Sequence, residues 1–504
     1  MPNTHTDSDR RPVRIALLLL LAMTAARIVM AAVSPLSGDE AYYWLWTRPL
    51  HLSYYDHPGM VAWWIWASVH LFGNTAFAVR LPAILASVAV TGLVADSARL
   101  AFASRRAGAL AAIWINATLL FGSAAVIMAP DAPLLLFWTL ALWAVLHLCA
   151  GGGARWLYLV GAALGLGAAS KYTMALLLPG LLVAALAFPA LRRWWTNPHA
   201  WLATLLAAAG VAPVLVWNLE NGGASFHKQL AHAFTNKGHG FIEGLGTFIG
   251  AQAGLATPLV LVFVVVAMTW ALVQGWRRRR AELFLLGATS LPVLLFFAVR
   301  AADGRVQAHW PGPSYVAGLV AVAGWMTAAE RPRLRPWLIA APILGVAMTL
   351  AVYLQATTAL VPLPSAIDST SRLGGGAELA AAVNEERHAH PGVFLSVEKH
   401  EVMAQLTFAL ADHPTVFLVG GRFRPSQYDA AQVAALKGHD GLFVAPADID
   451  GVAALKGCFQ TVRRLREVTL HWGGRPIARY AISLGTNYRG GAFVMGGGLD
   501  GPHC

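Results

Sequence analysis

Residues 14–46 read RIALLLLLAMTAARIVMAAVSPLSGDEAYYWLW, and the order of its parts sets the architecture of the whole chain. An apolar run begins at Ile15 and continues through Val33. At ~1.5 Å per residue that is enough helix to cross a hydrocarbon core of ~30 Å. Arg10, Arg11 and Arg14 precede the run. An acidic, aromatic loop follows it where a signal peptide would show a small-residue cleavage site, so the run reads as an uncleaved first span.

Working outward, further apolar runs fall at about 76–98, 108–128, 132–149, 156–170, 172–190, 200–217, 246–273, 282–299, 311–328 and 336–355, which gives eleven spans. The runs at 156–170 and 172–190 are short and meet at Lys171, so one bent unit is an alternative there. Composition agrees. The 504 residues are 57% hydrophobic and 12% charged, with a mean hydropathy of +0.56. A soluble protein carries roughly 25% charged residues, and half of that cannot cover a soluble body of this size. The 19 Trp suit a protein with two membrane interfaces.

Arginine locates the sides. Arg10/Arg11/Arg14, Arg99/Arg105/Arg106, Arg155, Arg192/Arg193, Arg277 to Arg280 and Arg331/Arg333/Arg335 occupy every second connection. The intervening connections carry Asp39, Glu40, Asp56, Asp131, Glu220 and Glu243. The positive-inside rule then places the N-terminus in the cytoplasm and the C-terminus outside, with an odd number of spans. The net charge of +12 is accounted for by these clusters, and nucleic acid is not an expected partner. Three Cys are too few for a disulfide scaffold and show no zinc spacing. Cys149 falls in an apolar run; Cys458 and Cys504 are able to pair if their domain faces an oxidising compartment.

The expected organisation is a cytoplasmic segment over 1–14, a membrane domain over 15–355 and a soluble α/β domain over 364–504. Two outer loops are long, 34–75 and 218–246. The first contains AYYWLW and MVAWWIWASVH, which suit short interfacial helices. In the last domain FLSV (394–397), TVFLV (415–419) and GLFVA (441–445) read as buried strands. HEVMAQLTFALA (400–411) reads as a helix, and TVRRLREVTLHW with RPIARYAISLG as a hairpin about Gly473-Gly474. LVGGRF (418–423) lacks a phosphate-binding glycine pattern.

The first outer loop carries the sharpest chemical signal. SGDEAYYW sets Asp39 and Glu40 directly after the first span, and YYDHPGM sets Asp56 and His57 before Pro58. Carboxylates among aromatic rings are costly unless paired or used, although acidic residues also occur outside simply as a topological bias.

SGDEAYYW, YYDHPGM, FGNTAFAVRLPA, APDAPLLLFW and GLGAASKYTMALLLPG, in that order, with HWPGPSY at 309–315, resemble the bacterial glycosyltransferase family 39 and PMT-2-type proteins. These are relatives of the protein O-mannosyltransferases and the lipid A aminoarabinose transferase. The resemblance covers roughly 15–330. It departs at Gly59, where relatives commonly have a second Pro. It implies a GT-C fold, a polyprenyl-phosphate-sugar donor and transfer with inversion at the outer surface of the inner membrane to a glycolipid, polysaccharide or protein. Asp39 matches the general base proposed in the family. A hydroxyl attacking an anomeric carbon must lose its proton, and a carboxylate in reach takes it. Single displacement of a phosphate needs no second carboxylate nucleophile. Glu40 and Asp56 would orient the acceptor or hold a divalent metal. His57 matches a position that is Lys in the aminoarabinose transferase and His in the O-mannosyltransferases, and would contact the donor phosphate.

A lipid-phosphate leaving group calls for cations. The candidates are Lys171, Lys228, Lys237, Arg300, Arg305 and His309. A lone charge at a span end, as at Lys171, is expensive, with snorkelling to the interface as its alternative. Arg80 reads as an anchor for the second span and Asp131, in PDAP, as a helix N-cap. The six His of the first loop and of 227–239 show no convincing ligand set. The soluble domain reads as an acceptor-binding or packing accessory. A transporter or flippase would place charges at the midplane of repeated halves, which this chain lacks; a non-catalytic assembly scaffold is the other alternative. Neither sugar nor acceptor is specified by the sequence.

Overall fold

The computed structural model describes residues 7–234, 240–304, 306–419 and 428–490. Lys237, His239, Arg305, Cys504 and the two glycines of LVGGRF lie outside them. The chain divides into two compact units: Met1–Val29, Asp56–Val61 and Arg80–Ala351 form the first, and Met30–Tyr55, Ala62–Val79 and Val352–Cys504 the second.

The helices before the last domain are α1 (Asp7–Val33), α2 (Gly38–Leu45), α3 (Met60–Phe72), α4 (Ala76–Phe102), α5 (Arg105–Asn116), α6 (Leu119–Ala124), α7 (Asp131–Cys149), α8 (Arg155–Ala168), α9 (Leu177–Ala187), α10 (Pro189–Arg192), α11 (His199–Glu220), α12 (Ala224–Phe234), α13 (Phe241–Ala256), α14 (Pro258–Arg277), α15 (Ala281–Ala288), α16 (Leu291–Asp303), α17 (Gly312–Ala328) and α18 (Arg335–Thr358). Seven helical stretches among the described residues are long and apolar enough to cross a membrane: Arg10–Val33, Ala76–Phe102, Asp131–Cys149, His199–Glu220, Pro258–Arg277, Ala281–Ala302 and Arg335–Thr358.

Three runs that read as continuous are interrupted. The run over 246–273 is α13 and α14, because Thr257 takes a positive φ of 72° and caps Val260 N while Pro258 opens the new helix. The run over 108–128 is divided where α5 ends at Asn116 and Thr118 caps α6 through Phe121 N. Within 282–299, Thr289 and Ser290 hydroxyls turn back to Leu285 O and Leu286 O, separating α15 from α16.

Close packing in the first unit depends on small residues, as expected where lipid supplies no hydrophobic drive between helices. A Cβ on Gly161 would lie 2.0 Å from Ala203 O, and one on Gly165 2.4 Å from Ala207 O, so α8 and α11 meet backbone to backbone. Helix α17 is enclosed, with every residue from Gly312 to Trp325 buried. Arg27 of α1 is also buried. Its guanidinium donates to Asn116 Oδ1 at 2.8 Å and Ser87 Oγ at 3.2 Å, while Asn116 donates to Thr91 Oγ1 at 3.1 Å. These groups line a cavity of about 30 Å³.

In the second unit, the aromatic loop after α1 folds on itself. Trp46 stacks on Tyr54 with centroids 4.3 Å apart, Trp44 Nε1 donates to Asn74 Oδ1 and Trp63 Nε1 to His51 O. Pairing of the Trp44 and Trp63 indole N–H groups offsets the cost of burying them, whereas Trp46 Nε1 is buried with no hydrogen-bond partner among the described residues. The last domain adds α19 (Gly376–Ala389), α20 (His400–Ala409) and five strands: β1 (Phe394–Val397), β2 (Val416–Leu418), β3 (Gly441–Pro446), β4 (Phe459–Trp472) and β5 (Arg475–Tyr488). The sheet order is β2-β1-β3-β5-β4, with β1 parallel to β2 and β3, and β5 antiparallel to β3 and β4. Gly473 and Gly474 take φ of 56° and 74°, the left-handed pair that a two-residue hairpin turn needs. Cys149 is free, and Cys458, buried under the sheet, is disulfide-bonded.

Candidate functional site

The second unit places Asp39 and Glu40 in the first turn of α2, with different uses. Glu40 is fully buried and closes a capping box: its Oε2 accepts from Ser37 N and Ser37 Oγ, both at 3.0 Å, while Ser37 Oγ accepts from Glu40 N. That carboxylate is committed to starting the helix. Asp39, one residue earlier, is exposed, and the helix N-terminus favours its anionic form. Against it stand the first two residues of α20, His400 and Glu401. Ligand atoms of Asp39, His400 and Glu401 all lie within 4.8 Å of one another, the one group of His and carboxylates so gathered among the described residues. Nothing in the sequence signalled this meeting of residues 361 positions apart.

The first unit gathers a second polar group. Residues 169–171 break out of α8, and Lys171 is extended (φ −160°, ψ 138°) ahead of a 3-10 turn over Tyr172–Leu176. The break turns the lysine toward α7, where Nζ donates to Asp131 Oδ1 at 2.8 Å and Oδ2 at 2.9 Å. The side chains are 9% and 15% exposed. Asp131 is therefore not a cap: the cap position is Pro130, without a side-chain bond, and Asp131 is the first helical residue. His309 Nε2 lies 3.6 Å from the second Asp131 oxygen, and His57 is near enough to act on it electrostatically. Beside His57, Asp56 forms an ion pair with Lys228 of α12, and its carbonyl accepts from Gln229 Nε2 at 2.6 Å. Tyr172 shares a hydrogen bond with Ser225, which ties the 3-10 turn to the start of α12. Gln252 holds the HWPGPSY segment, donating to Ala308 O and accepting from Tyr315.

Five residues selected from sequence thus belong to this group: Asp56, His57, Lys171, Lys228 and His309. Arg300 does not join it. It stands half-buried in the last turn of α16, and among the described residues no hydrogen bond or ion pair links its guanidinium to the group. The expectation that Lys171 is a lone cation is corrected, since a carboxylate already holds it. Pairing explains how both charges tolerate their burial. What the sequence reading set aside was Asp131, although its PDAP motif was in view.

The fold is that of the GT-C class of polytopic membrane proteins, and residues 56–217 match the family described as dolichyl-phosphate-mannose-protein mannosyltransferase (PMT_2). Among individual proteins, the chain is 27% identical over 493 residues to the lipid A galacturonosyltransferase RgtD of Rhizobium johnstonii, covering 93% of this chain and 98% of that one. It is 30% identical over 335 residues to the undecaprenyl phosphate-alpha-4-amino-4-deoxy-L-arabinose arabinosyl transferase 1 of Sodalis glossinidius, covering 58% and 56%. The crystal structure of ArnT from Cupriavidus metallidurans bound to undecaprenyl phosphate shares the fold, with a TM-score of 0.66 at 15% identity over 93% of this chain and 97% of that one.

Proposed function

We propose that the protein transfers a sugar from a polyprenyl-phosphate donor to lipid A, with inversion, at the outer face of the inner membrane. Galacturonic acid is the sugar favoured by the relative matched along nearly its whole length, and an undecaprenyl-phosphate carrier is favoured by the arabinosyl transferase. The N-terminus is cytoplasmic and the C-terminal domain periplasmic in this reading, following the arginine alternation.

The observation that carries it is the contrast within α2: Glu40 is buried in a cap, whereas Asp39 is exposed and anionic by position. Asp39 takes the proton of the acceptor hydroxyl as its oxygen attacks the anomeric carbon, and the sugar–phosphate bond breaks with its electron pair going to the lipid phosphate. In the first unit, Lys171, Lys228, His57 and His309 form a group of donors suited to a lipid phosphate. Their carboxylate partners Asp131 and Asp56 hold them in place until the anion arrives. Asp39→Asn keeps the shape and removes the base. Transfer from undecaprenyl-phosphate galacturonate to lipid A should fall by about two to four orders of magnitude, with donor affinity and thermal midpoint near those of the unaltered protein. Normal transfer by this variant would remove Asp39 from the mechanism.

A further inference from the structure

The soluble domain reaches the carboxylate to which the mechanism assigns the acceptor proton. Helix α20 begins at His400, and its first turn packs on the first turn of α2. A Cβ on Gly38 would lie 2.7 Å from Glu401 Cβ, so the approach is open only to glycine. Trp44 meets Phe408 edge-on at 4.9 Å and His413 at 5.2 Å, which fixes the two helices against each other. At their shared end the packing is not closed. Asp39 is exposed, and the side chains of His400 and Glu401 retain 25% and 43% of their accessible surface. Glu401 Oε2 lies 3.1 Å from His400 Nδ1, and the imidazole stands edge-on to Tyr42 at 4.8 Å. Glu401 and Tyr42 together fix the direction of that ring.

We infer that His400 and Glu401 are acceptor-binding residues, through which the soluble domain presents a carbohydrate hydroxyl to Asp39. The inference rests on the transferase reading above and names the part of the chain that selects the acceptor. The geometry suits a hydroxyl. One oxygen that hydrogen-bonds two groups at about 2.8 Å each, at an ordinary angle, bridges atoms roughly 4.6 Å apart, close to the limit within which these three groups lie. Two carboxylates accept from sugar hydroxyls, and an imidazole N–H donates to one. Adjacent hydroxyls on a sugar ring provide that mixture of donors and acceptors. In the reaction the acceptor proton moves to Asp39, the new glycosidic bond forms from the freed oxygen, and the lipid phosphate leaves with the electron pair. His400 and Glu401 take no proton; they hold the neighbouring hydroxyls.

The test uses the full chain in lipid nanodiscs with saturating undecaprenyl-phosphate galacturonate and purified lipid A at varied concentration. His400→Ala and Glu401→Ala should raise KM for lipid A about ten-fold, the loss of one or two hydrogen bonds. Their kcat, donor affinity and thermal midpoint should stay close to the unaltered protein. His400→Asn, which keeps a side-chain N–H, should recover part of the loss. An unchanged KM in active, folded variants overturns the inference and leaves the transferase reading standing. So does a fall in kcat matched by loss of bound Mn²⁺ and reversed by added Mn²⁺, which would make the three residues a metal site. No transfer to lipid A by the unaltered protein overturns both.

Discussion

Asp131 and Lys171 show how a residue's neighbours change its reading. Each was visible in a motif, and neither motif reveals that the two side chains meet across forty residues through two hydrogen bonds. Lys171→Met leaves Asp131 buried without its ammonium. Breaking such a pair from one side costs about 3–5 kcal/mol, so this variant should melt markedly lower in detergent. The double variant Lys171→Met with Asp131→Asn should recover the thermal midpoint, since the buried pair is removed as a whole, yet transfer should stay impaired because a donor proposed for the phosphate is gone. A single variant that melts like the unaltered protein would show that solvent already reaches the pair. Asp39 was conspicuous because it follows the first span directly and stands among aromatic rings. His400 was not, since a histidine opening a surface helix carries no local mark.

At the scale of elements, apolar periodicity and turn residues carried most of the information. The hairpin about Gly473-Gly474 and the strands near 394, 416 and 441 stand where alternation and glycine place them. The interrupted runs were hidden because Thr, Ser and Pro end a helix by hydrogen bonding, which leaves hydropathy almost unchanged; Thr257-Pro258 is the clearest case. The hairpin tip is fastened by Arg475, which donates to Leu363 O at 2.5 Å and Val361 O at 3.0 Å beyond α18. Gly473→Ala adds a Cβ 2.4 Å from that of Ala359 at a left-handed φ, and should lower stability of the soluble domain by about 1–3 kcal/mol, read as an earlier unfolding transition. A pH effect belongs at this scale as well. The bidentate bond from Arg387 of α19 holds the Asp412 carboxyl below its usual range. The pair therefore contributes at pH values above the unfolded value of about 3.9 and its contribution is lost as pH falls through the depressed folded value. The pair is exposed, so the effect is at most about 1 kcal/mol. Asp412→Asn should flatten that part of the acid-melting curve, and an unaltered curve would assign the acid limb elsewhere.

For the molecule as a whole, the arginine alternation makes a direct statement about sides. A reporter fused at Arg278 should be cytoplasmic and one at the C-terminus periplasmic. A cytoplasmic C-terminal reporter on a fully inserted chain would mean that one span has been miscounted, most readily where Lys171 separates α8 from α9. The sequence carried the membrane class, the helical character and the soluble α/β end because each follows from hydropathy and short-range pattern. The grouping of Asp56, His57, Asp131, Lys171, Lys228 and His309 depends on helix packing, which no short-range pattern encodes.

The enclosure of α17 has a consequence for how the sequence can drift. A lipid-facing stretch such as Leu17 to Leu21 of α1, where Leu17, Leu18 and Leu21 are more than half exposed, is limited by polarity: any apolar side chain satisfies its surroundings. Helix α17 is limited by volume. A methyl group on Gly324 would fall 1.9 Å from Phe102 Cζ, and one on Gly318 2.4 Å from Met268 Cε. A saturation library screened for folded protein should accordingly show opposite tolerances in these two apolar helices. In α1, Leu, Ile, Val, Phe and Met would interchange freely; in α17, glycine and alanine would be retained, and enlarged variants would survive only beside a compensating reduction in Phe102 or Met268.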